Sequence, residues 1–522
     1  MHGAFPAGPR GRVTRRHAFP RRLRRDAVRG PVAPGSHPSG GCPAPRRVPA
    51  PGGSARRASA DGTGTEYSAG AGRRPPHPRG APASRVCPPR RRGTGAALPG
   101  CRGPDRRRTG RRRSVVDADI VVVGAGAAGL SLTHRLATHG AHPSVVLIDP
   151  PPGPLRPPQR TWCFWETGPG RYDAAATASW EWLRVRGRDG AEVLRHIAPA
   201  RYKMIRSDDF EALVDRDLKD RPGLRRLEAT VGTVTALPDG TARVTAEDAA
   251  GRRVELRARW VFDSRPLRRL PPARSLLLQH FRGWFVRTER PVFDPAVADL
   301  MDFRTRQPEH GLSFGYVLPT GRHTALVEYT GFGAAPLPSE AYERELEDYT
   351  RRVLRTGAVQ VLSTEQGVIP MTDAVFDRRV PGLASVFRVG GAGGATRAST
   401  GYTFAAVQRQ SDAIARAVRA GRRPVPPRAH PTRARLMDAV LLRALDTGRV
   451  DGPDLFFRLF ERVPAGRLLR FLDGRSRWYE DLAVGVRTPV LPMLRTAAEL
   501  PRLPRRTRPD RRESPPRDTT GE

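Results

Sequence analysis

The stretch from Asp119 to Asp149 constrains this chain more than any other. Residues 120–123 form an apolar run that reads as a buried parallel strand, Gly124, Gly126 and Gly129 follow as GxGxxG, and residues 127–137 have helical composition. A second apolar run, residues 144–148, ends on Asp149. Each residue type has a mechanical reason: Gly124 permits the tight turn, Gly126 lets the backbone approach a pyrophosphate, and Gly129 lets helix and strand pack closely. Unpaired N–H groups at the helix start attract the anion. Asp149 stands where a carboxylate accepts a hydrogen bond from an adenosine ribose hydroxyl. Strand, glycine turn, helix, second strand and terminal acid, in that order, predict a dinucleotide site. The motif alone does not separate FAD from NAD(P).

A second glycine-rich signature narrows the choice. A strand at 386–389 runs into Gly390, Gly391, Gly393, Gly394 and Gly401, and a helix is predicted over 403–419. Glycines there let backbone N–H groups approach a ligand, and the helix offers another positive dipole end. Two anion-friendly helix starts this far apart fit one FAD better than one NAD(P). Between them, the strand at 252–262 ends in Asp263-Ser-Arg-Pro, an acid at a strand's carboxyl end, where ligands of open α/β sheets gather.

The remaining segments predict a second layer. Short strands are expected at 180–185, 202–205 and 229–237, and a helix starts at Ser207 with that serine as N-cap. Residues 276–286, 301–304, 314–319 and 324–330 are β-rich, aromatic and separated by turn residues, which suggests an inserted antiparallel sheet roofing a pocket. Trp162, Phe164 and Trp165 crowd beside Glu166, either as core aromatics or as part of a site. Beyond Pro424 two apolar stripes, Leu436, Val440, Leu441, Leu445 and Leu455, Phe456, Leu459, Phe460, Val463, read as a helical cap or as a face dipping into lipid.

Charge is unevenly spread. Residues 1–115 hold 27 Arg and no Lys against Asp26, Asp61, Glu66 and Asp105, and so carry +23 of the chain's +39. With almost no periodic apolar pattern, that segment is expected to be disordered, because it cannot bury enough surface to offset its ordering entropy. Arg clusters such as 106–108 and 111–113 would suit a nucleic-acid or anionic-membrane arm, but no interleaved aromatics support base stacking. A targeting peptide is a second reading and a segment outside the working protein a third; a protein acting on nucleic acid through this tail is the rival functional class. Of four cysteines only Cys163 lies beyond residue 115, which leaves no disulfide framework and no CxxC metal pattern. No metal is expected, and a reducing, cytoplasmic setting fits. No run approaches the roughly 18 apolar residues of a membrane span, so the expected membrane association is peripheral.

Taken in order, Gly124 to Gly129, Arg160-Thr-Trp-Cys-Phe-Trp, Asp263-Ser-Arg-Pro, Gln279-His-Phe-Arg-Gly-Trp, Met301-Asp-Phe-Arg, Glu328, Glu365-Gln-Gly-Val-Ile-Pro-Met and Ser399-Thr-Gly-Tyr-Thr-Phe resemble the lycopene cyclase family over roughly residues 117–495. Tyr329 stands where that family usually has a second acid, and Ala398 where it usually has proline. The resemblance implies an α/β, FAD-binding, Rossmann-like fold of the hydroxylase type, with an inserted antiparallel substrate sheet and C-terminal helices. It places the FAD domain at 116–420, the interleaved substrate sheet at about 160–205 and 270–380, a helical region at 421–495 and a disordered basic tail at 496–522. It implies ring closure of the ψ-end groups of lycopene to β-ionone rings without net redox change, with reduced FAD as cofactor and NAD(P)H as its reductant. No nucleic acid is expected as partner. Glu328, between Val327 and Tyr329, is the expected proton donor, with Asp302 and Glu166 as lesser candidates. Gly124, Gly126, Gly129, Asp149, Arg160, Asp263, Gly390, Gly391, Gly393, Gly394 and Gly401 are the expected cofactor residues. Trp162, Trp165 and Trp284 are candidates to stabilise a cation. An FAD-dependent monooxygenase of the same fold is the runner-up.

Overall fold

The computed structural model describes residues 116–138 and 143–507. The tail expected at 1–115 and residues 508–522 lie outside the described residues. The first sheet is built on strands β1 (Ala118–Val123), β2 (Val145–Asp149), β8 (Leu224–Ala236), β10 (Arg253–Asp263) and β17 (Leu383–Arg388), paired in parallel. Their spatial order is β8-β2-β1-β10-β17. Numbered among themselves this is 3-2-1-4-5, the doubly wound arrangement, whose switch point lies beside β1. Strand β9 (Ala242–Asp248) pairs antiparallel with both β8 and β10 and carries the chain between them.

Both faces of that sheet are covered, which is why its strands read as unbroken apolar runs. Ile120, Val122 and Leu147 pack with helices α1 (Ala127–Thr138), α2 (Ser207–Leu218) and α4 (Phe404–Arg419), through Leu130, Phe210 and Val407. Val121, Val123 and Ile148 point the other way, onto Ala229, Val244 and Leu256. Helix α2 begins one residue away from the expected cap. Arg206 is the flanking residue, and the Ser207 hydroxyl instead accepts the Arg160 N–H at 3.0 Å, so it ties down the preceding loop rather than the helix end.

The second sheet has the order β15-β11-β14-β13-β12-β5-β6. Its strands are β5 (Trp182–Arg186), β6 (Glu192–His196), β11 (Leu276–Thr288), β12 (Val297–Asp302), β13 (Leu312–Pro319), β14 (Thr324–Gly333) and β15 (Val359–Thr372). All its pairings are antiparallel except β5 with β12. Helix α3 (Ser339–Asp348) packs Tyr342 and Leu346 onto the face that carries Trp284, Val327 and Tyr329. The opposite face, carrying Phe314, Leu318 and Leu326, shares a core with the C-terminal helices α5 (Thr432–Asp446), α6 (Gly452–Arg462) and α7 (Ala465–Leu472). A small sheet of β3 (Thr161–Thr167), β7 (Ala200–Arg206) and β4 (Ala176–Trp180), its strands all falling between β2 and β8 in sequence, supplies Tyr202 and Met204 to the same core.

The C-terminal region decides between two readings and departs from one expectation. Leu455, Phe456, Leu459, Phe460 and Val463 are all buried, so this stripe is a cap on the second sheet and not a lipid face. Residues 496–507, expected to be part of a disordered tail, are ordered. Helix α9 (Val490–Glu499) buries Thr496, Glu499 pairs with Arg443 and Arg449, and Arg506 exchanges backbone hydrogen bonds with Ala273. The run's basic composition hid these specific partners. Helix α8 (Trp478–Gly485) lies between α7 and α9 in sequence and packs against α7.

Candidate functional site

The two glycine-rich turns meet. Gly124 has φ +93°, and a Cβ there would stand 2.5 Å from Ser264 Oγ. A Cβ on Gly129 would lie 1.7 Å from the Gly124 carbonyl oxygen, so helix and turn touch only because that residue is glycine. Gly126 differs: a Cβ there meets nothing within 4 Å, so the backbone borders open space. From the second turn, Gly390 lies with its virtual Cβ 2.8 Å from the Ala128 side chain, directly against the first turn of α1. Gly391 is likewise open, with only Thr396 Oγ1 at 3.7 Å, while Gly393 is held against the Arg388 carbonyl and Gly394 takes φ +75°.

The acids at the strand ends brace this cradle. Asp149 Oδ1 accepts the Ala125 N–H at 2.8 Å and Oδ2 lies 3.7 Å from Arg156 Nε; burial raises its pKa above the ordinary carboxylate value. Its carboxylate thus holds the glycine loop in place. Asp263 accepts from the Arg265 backbone N–H and guanidinium at 3.0 and 2.8 Å, while the neighbouring Ser264 hydroxyl donates to the Val123 carbonyl at 2.7 Å. This turn is therefore a buttress under GxGxxG. Arg160 is exposed, at the entry to β3.

Glu328 sits where pleating and register define a row. Tyr316 on β13 is opposite Glu328 on β14, Glu328 is opposite Gly283 on β11, and Gly283 is opposite Glu365 on β15. Directly paired residues share a face, so one face shows, in order, Tyr316, Glu328, Gly283 and Glu365. A Cβ on Gly283 would lie 2.8 Å from Leu326 Cδ1, 3.4 Å from Glu365 Cγ and 3.5 Å from Glu328 Cβ, so these side chains close over the glycine. Glu328 is 7% exposed and accepts the Thr330 hydroxyl at 2.6 Å. Burial, with a smaller push from the Glu365 carboxylate, raises its pKa to about 8. Burial also raises the pKa of Glu365, whose Oε2 accepts the Thr161 hydroxyl at 2.7 Å.

Aromatic and sulfur groups wall the same side. The Tyr202 hydroxyl is hydrogen-bonded to those of Tyr316 and, at 2.9 Å, Tyr402. Burial lifts all three phenols above their ordinary range and the Cys163 thiol to about 12, so all stay neutral. Trp165 packs on Tyr402 with ring centroids 4.6 Å apart. Tyr402 follows Gly401, whose virtual Cβ would stand 2.6 Å from Gln279 Oε1 on β11. Gln279 and Gly283 lie on the same face, four residues or roughly 13 Å apart along the strand. The second glycine signature therefore adjoins the Glu328 row.

Alternation along each strand sorts the other candidates. Thr161 and Trp165 reach the Glu328 side, whereas Trp162 stacks on Phe404 and meets Phe210 edge-on in the helix core. Glu166 has the parity of Trp162; it is half-exposed and paired with Lys203 at 3.1 Å. Asp302 lies in the row Asp302, Gly315, Tyr329, one residue out of step with Glu328 and so on the opposite face. There it is fully buried and satisfied by Arg304 at 2.6 and 2.9 Å and Tyr349 at 3.0 Å. Trp284 shares that far face. The structure thus keeps Glu328 and Trp165 together, sets Glu166, Asp302, Trp162 and Trp284 apart, and adds Glu365, Tyr316, Tyr202 and Tyr402. A hollow of about 440 Å³ lined by Asp117, Asp239, Arg243 and Arg257 lies at the amino end of β1 and holds none of these residues.

Doubly wound sheet, paired glycine turns, inserted antiparallel sheet and C-terminal helices define an FAD-binding, Rossmann-like fold of the hydroxylase type. The p-nitrophenol 4-monooxygenase PnpA of Pseudomonas putida DLL-E4 shares that fold with a TM-score of 0.50 at 16% identity, over 69% of this chain and 98% of that one. Residues 119–498 match the family described as lycopene cyclase protein, and the chain belongs to that family. It is 25% identical over 319 residues to a lycopene beta cyclase of Synechococcus elongatus (strain ATCC 33912 / PCC 7942 / FACHB-805), covering 58% of this chain and 72% of that relative.

Proposed function

We propose that this protein closes the linear ψ-end groups of lycopene to β-ionone rings, with reduced FAD as cofactor and NAD(P)H as the reductant that maintains it. The observation that carries this reading is Glu328: a buried carboxyl, neutral up to about pH 8, among tyrosines and a tryptophan and beside the second glycine turn. The site fits a dinucleotide flavin. Gly126 and Gly391 leave backbone open to a ligand, and Gln279 Oε1 is buried beside Gly401 without a hydrogen-bond partner among the described residues. Gly124, Gly126, Gly129 and Asp149 would hold one end of FAD and Gly390, Gly391, Gly393, Gly394 and Gly401 the other, with Asp263 bracing the turn between and Arg160 at the rim. When bound, the reduced flavin supplies negative charge that favours a nearby carbocation.

The chain's own residues handle the proton. Glu328 donates it to the terminal alkene, which leaves a tertiary cation on the adjacent carbon. The next alkene attacks that cation, the ring bond forms, and loss of a C–H proton restores neutrality. The faces of Trp165 and the three tyrosines supply an apolar wall with negative π-density for the cation.

The substrate is lipid-soluble, and the protein offers a surface suited to a bilayer from the cytoplasmic side. Trp478, Leu482 and Val486 at α8 and Leu491 and Leu494 on α9 are each 60–68% exposed. Arg477 and Arg495 are exposed beside them, the pattern of an interfacial helix pair on anionic lipid. Among the described residues no helix is long and apolar enough to cross a membrane. The test is anaerobic incubation of lycopene vesicles with the protein and reduced FAD, with chromatography for one- and two-ring products. Ring formation without stoichiometric NAD(P)H consumption is expected; oxygen-dependent NAD(P)H consumption with no ring product would favour a monooxygenase.

A further inference from the structure

The row Glu328, Gly283, Glu365 contains a second carboxylate that the proton-donor mechanism leaves unused. We infer that Glu365 is the base of the reaction: it takes the C–H proton released after ring closure and returns it to Glu328, its neighbour over Gly283. This rests on the cyclase reading above.

Four features of the geometry support it. The two acids lie on one face, two strand spacings apart, roughly 9–10 Å between backbones. Their side chains converge over Gly283, since a Cβ there would stand 3.5 Å from Glu328 Cβ and 3.4 Å from Glu365 Cγ, which gives a proton a short path from one acid to the other. The intervening residue is glycine in mid-strand, where strands otherwise disfavour it, and a Cβ there would strike Leu326 Cδ1 at 2.8 Å and crowd both acids. The Thr161 hydroxyl, from a different sheet, donates to Glu365 at 2.7 Å and so orients it while favouring its charged form. Glu365 also feels the Arg206 guanidinium, which favours the carboxylate, whereas Glu328 has no cation among the influences on it. Burial raises both carboxyls, but at Glu365 the Thr161 hydroxyl and the Arg206 guanidinium oppose that rise whereas at Glu328 no cation does, so the pair is asymmetric in the sense a donor and an acceptor require.

Atoms balance without an oxidant or reductant. One proton leaves Glu328 for carbon, one carbon–carbon bond forms, one C–H proton passes to Glu365, and transfer from Glu365 to Glu328 restores the starting state.

The experiment uses the full chain with chemically reduced FAD and lycopene vesicles in D₂O, followed by mass spectrometry of both ring product and recovered linear carotenoid. The expected result for Glu365→Gln is retained flavin, ring product down about 100-fold, and deuterium in the recovered linear carotenoid, because Glu328 still protonates the alkene and the cation collapses back. Glu365→Asp should recover part of the ring yield. Glu328→Gln should give neither ring nor label. Ring yield in Glu365→Gln within twofold of the unaltered protein overturns the assignment, as does loss of ring without label. Should Glu365→Gln fail to hold flavin, Thr161→Val carries the test: reduced ring yield with labelled linear carotenoid is expected, and unchanged yield without label overturns it. Failure of the unaltered protein to form rings would instead remove the cyclase reading itself.

Discussion

A carboxyl group that hands a proton to an alkene must still hold that proton at neutral pH, and burial of Glu328 provides the condition. With its pKa raised to about 8, the proposed donor role predicts a rate that falls as pH rises through that value. Glu328→Gln should keep the flavin spectrum and lose ring closure by at least about 100-fold, since an amide fills the space but donates no carboxyl proton. Stability moves with the same group. Because its pKa is raised from 4.5 on folding, the stability it contributes is full below about pH 4.5 and is lost as pH climbs through 8. Thermal melts above pH 8 should therefore find Glu328→Gln more stable than the unaltered protein; equal melting temperatures there would contradict the buried, neutral carboxyl. The glycines allow an equally local test. Gly126→Val should leave the fold intact, because its Cβ meets nothing, yet abolish FAD binding. Gly129→Ala should damage the fold itself, because its Cβ would strike the Gly124 carbonyl. Circular dichroism and flavin absorbance of the two variants separate these outcomes.

At the scale of elements, local order was legible and long-range register was not. The strand, turn and helix around Gly124 follow from composition and spacing within about thirty residues. The roles of Glu328, Asp302 and Glu365 depend on which strands pair and in what step. Glu328 and Glu365 meet because both pair with Gly283, and Asp302 is excluded because its row is one residue out of phase. A usable signal was present: Gly283 interrupts an aromatic strand, which marks a close approach or a gap. Alternation in Thr161-Trp162-Cys163-Phe164-Trp165-Glu166 also places Thr161 and Trp165 on one side and Glu166 on the other. Helix α5 holds the second glycine turn through Asp438, which accepts from Arg397 Nε at 3.0 Å and the Ser399 hydroxyl at 2.7 Å, with both charges almost wholly buried. Removing one partner strands the other charge in the core. Asp438→Ala should cost about 3–5 kcal/mol in denaturant unfolding and weaken FAD binding; an unchanged midpoint would show that α5 does not anchor the turn.

For the whole molecule, the proposed reaction joins a water-insoluble substrate to a buried acid and so requires a route between bilayer and sheet. The C-terminal helices suit both ends of that proposed route. The inner ones, α5 to α7, share a core with the Glu328 face of the second sheet, while α8 and α9 turn tryptophan, leucine and valine outward. Burial of several such side chains in an interface gains roughly 1.5–3 kcal/mol for each one fully covered, and exposed arginines add attraction to anionic headgroups that salt screens. Leu482→Glu with Leu491→Glu should therefore cut co-sedimentation with anionic vesicles at least about tenfold, since two apolar contacts become charged ones. Both side chains point to solvent, so melting temperature and flavin content should not change. Ring formation should fall with vesicle-borne lycopene and recover with lycopene in detergent micelles, where no bilayer has to be reached. Vesicle binding that survives both substitutions would place the docking surface elsewhere, and loss of activity in micelles would show that these helices act on the site and not on the membrane.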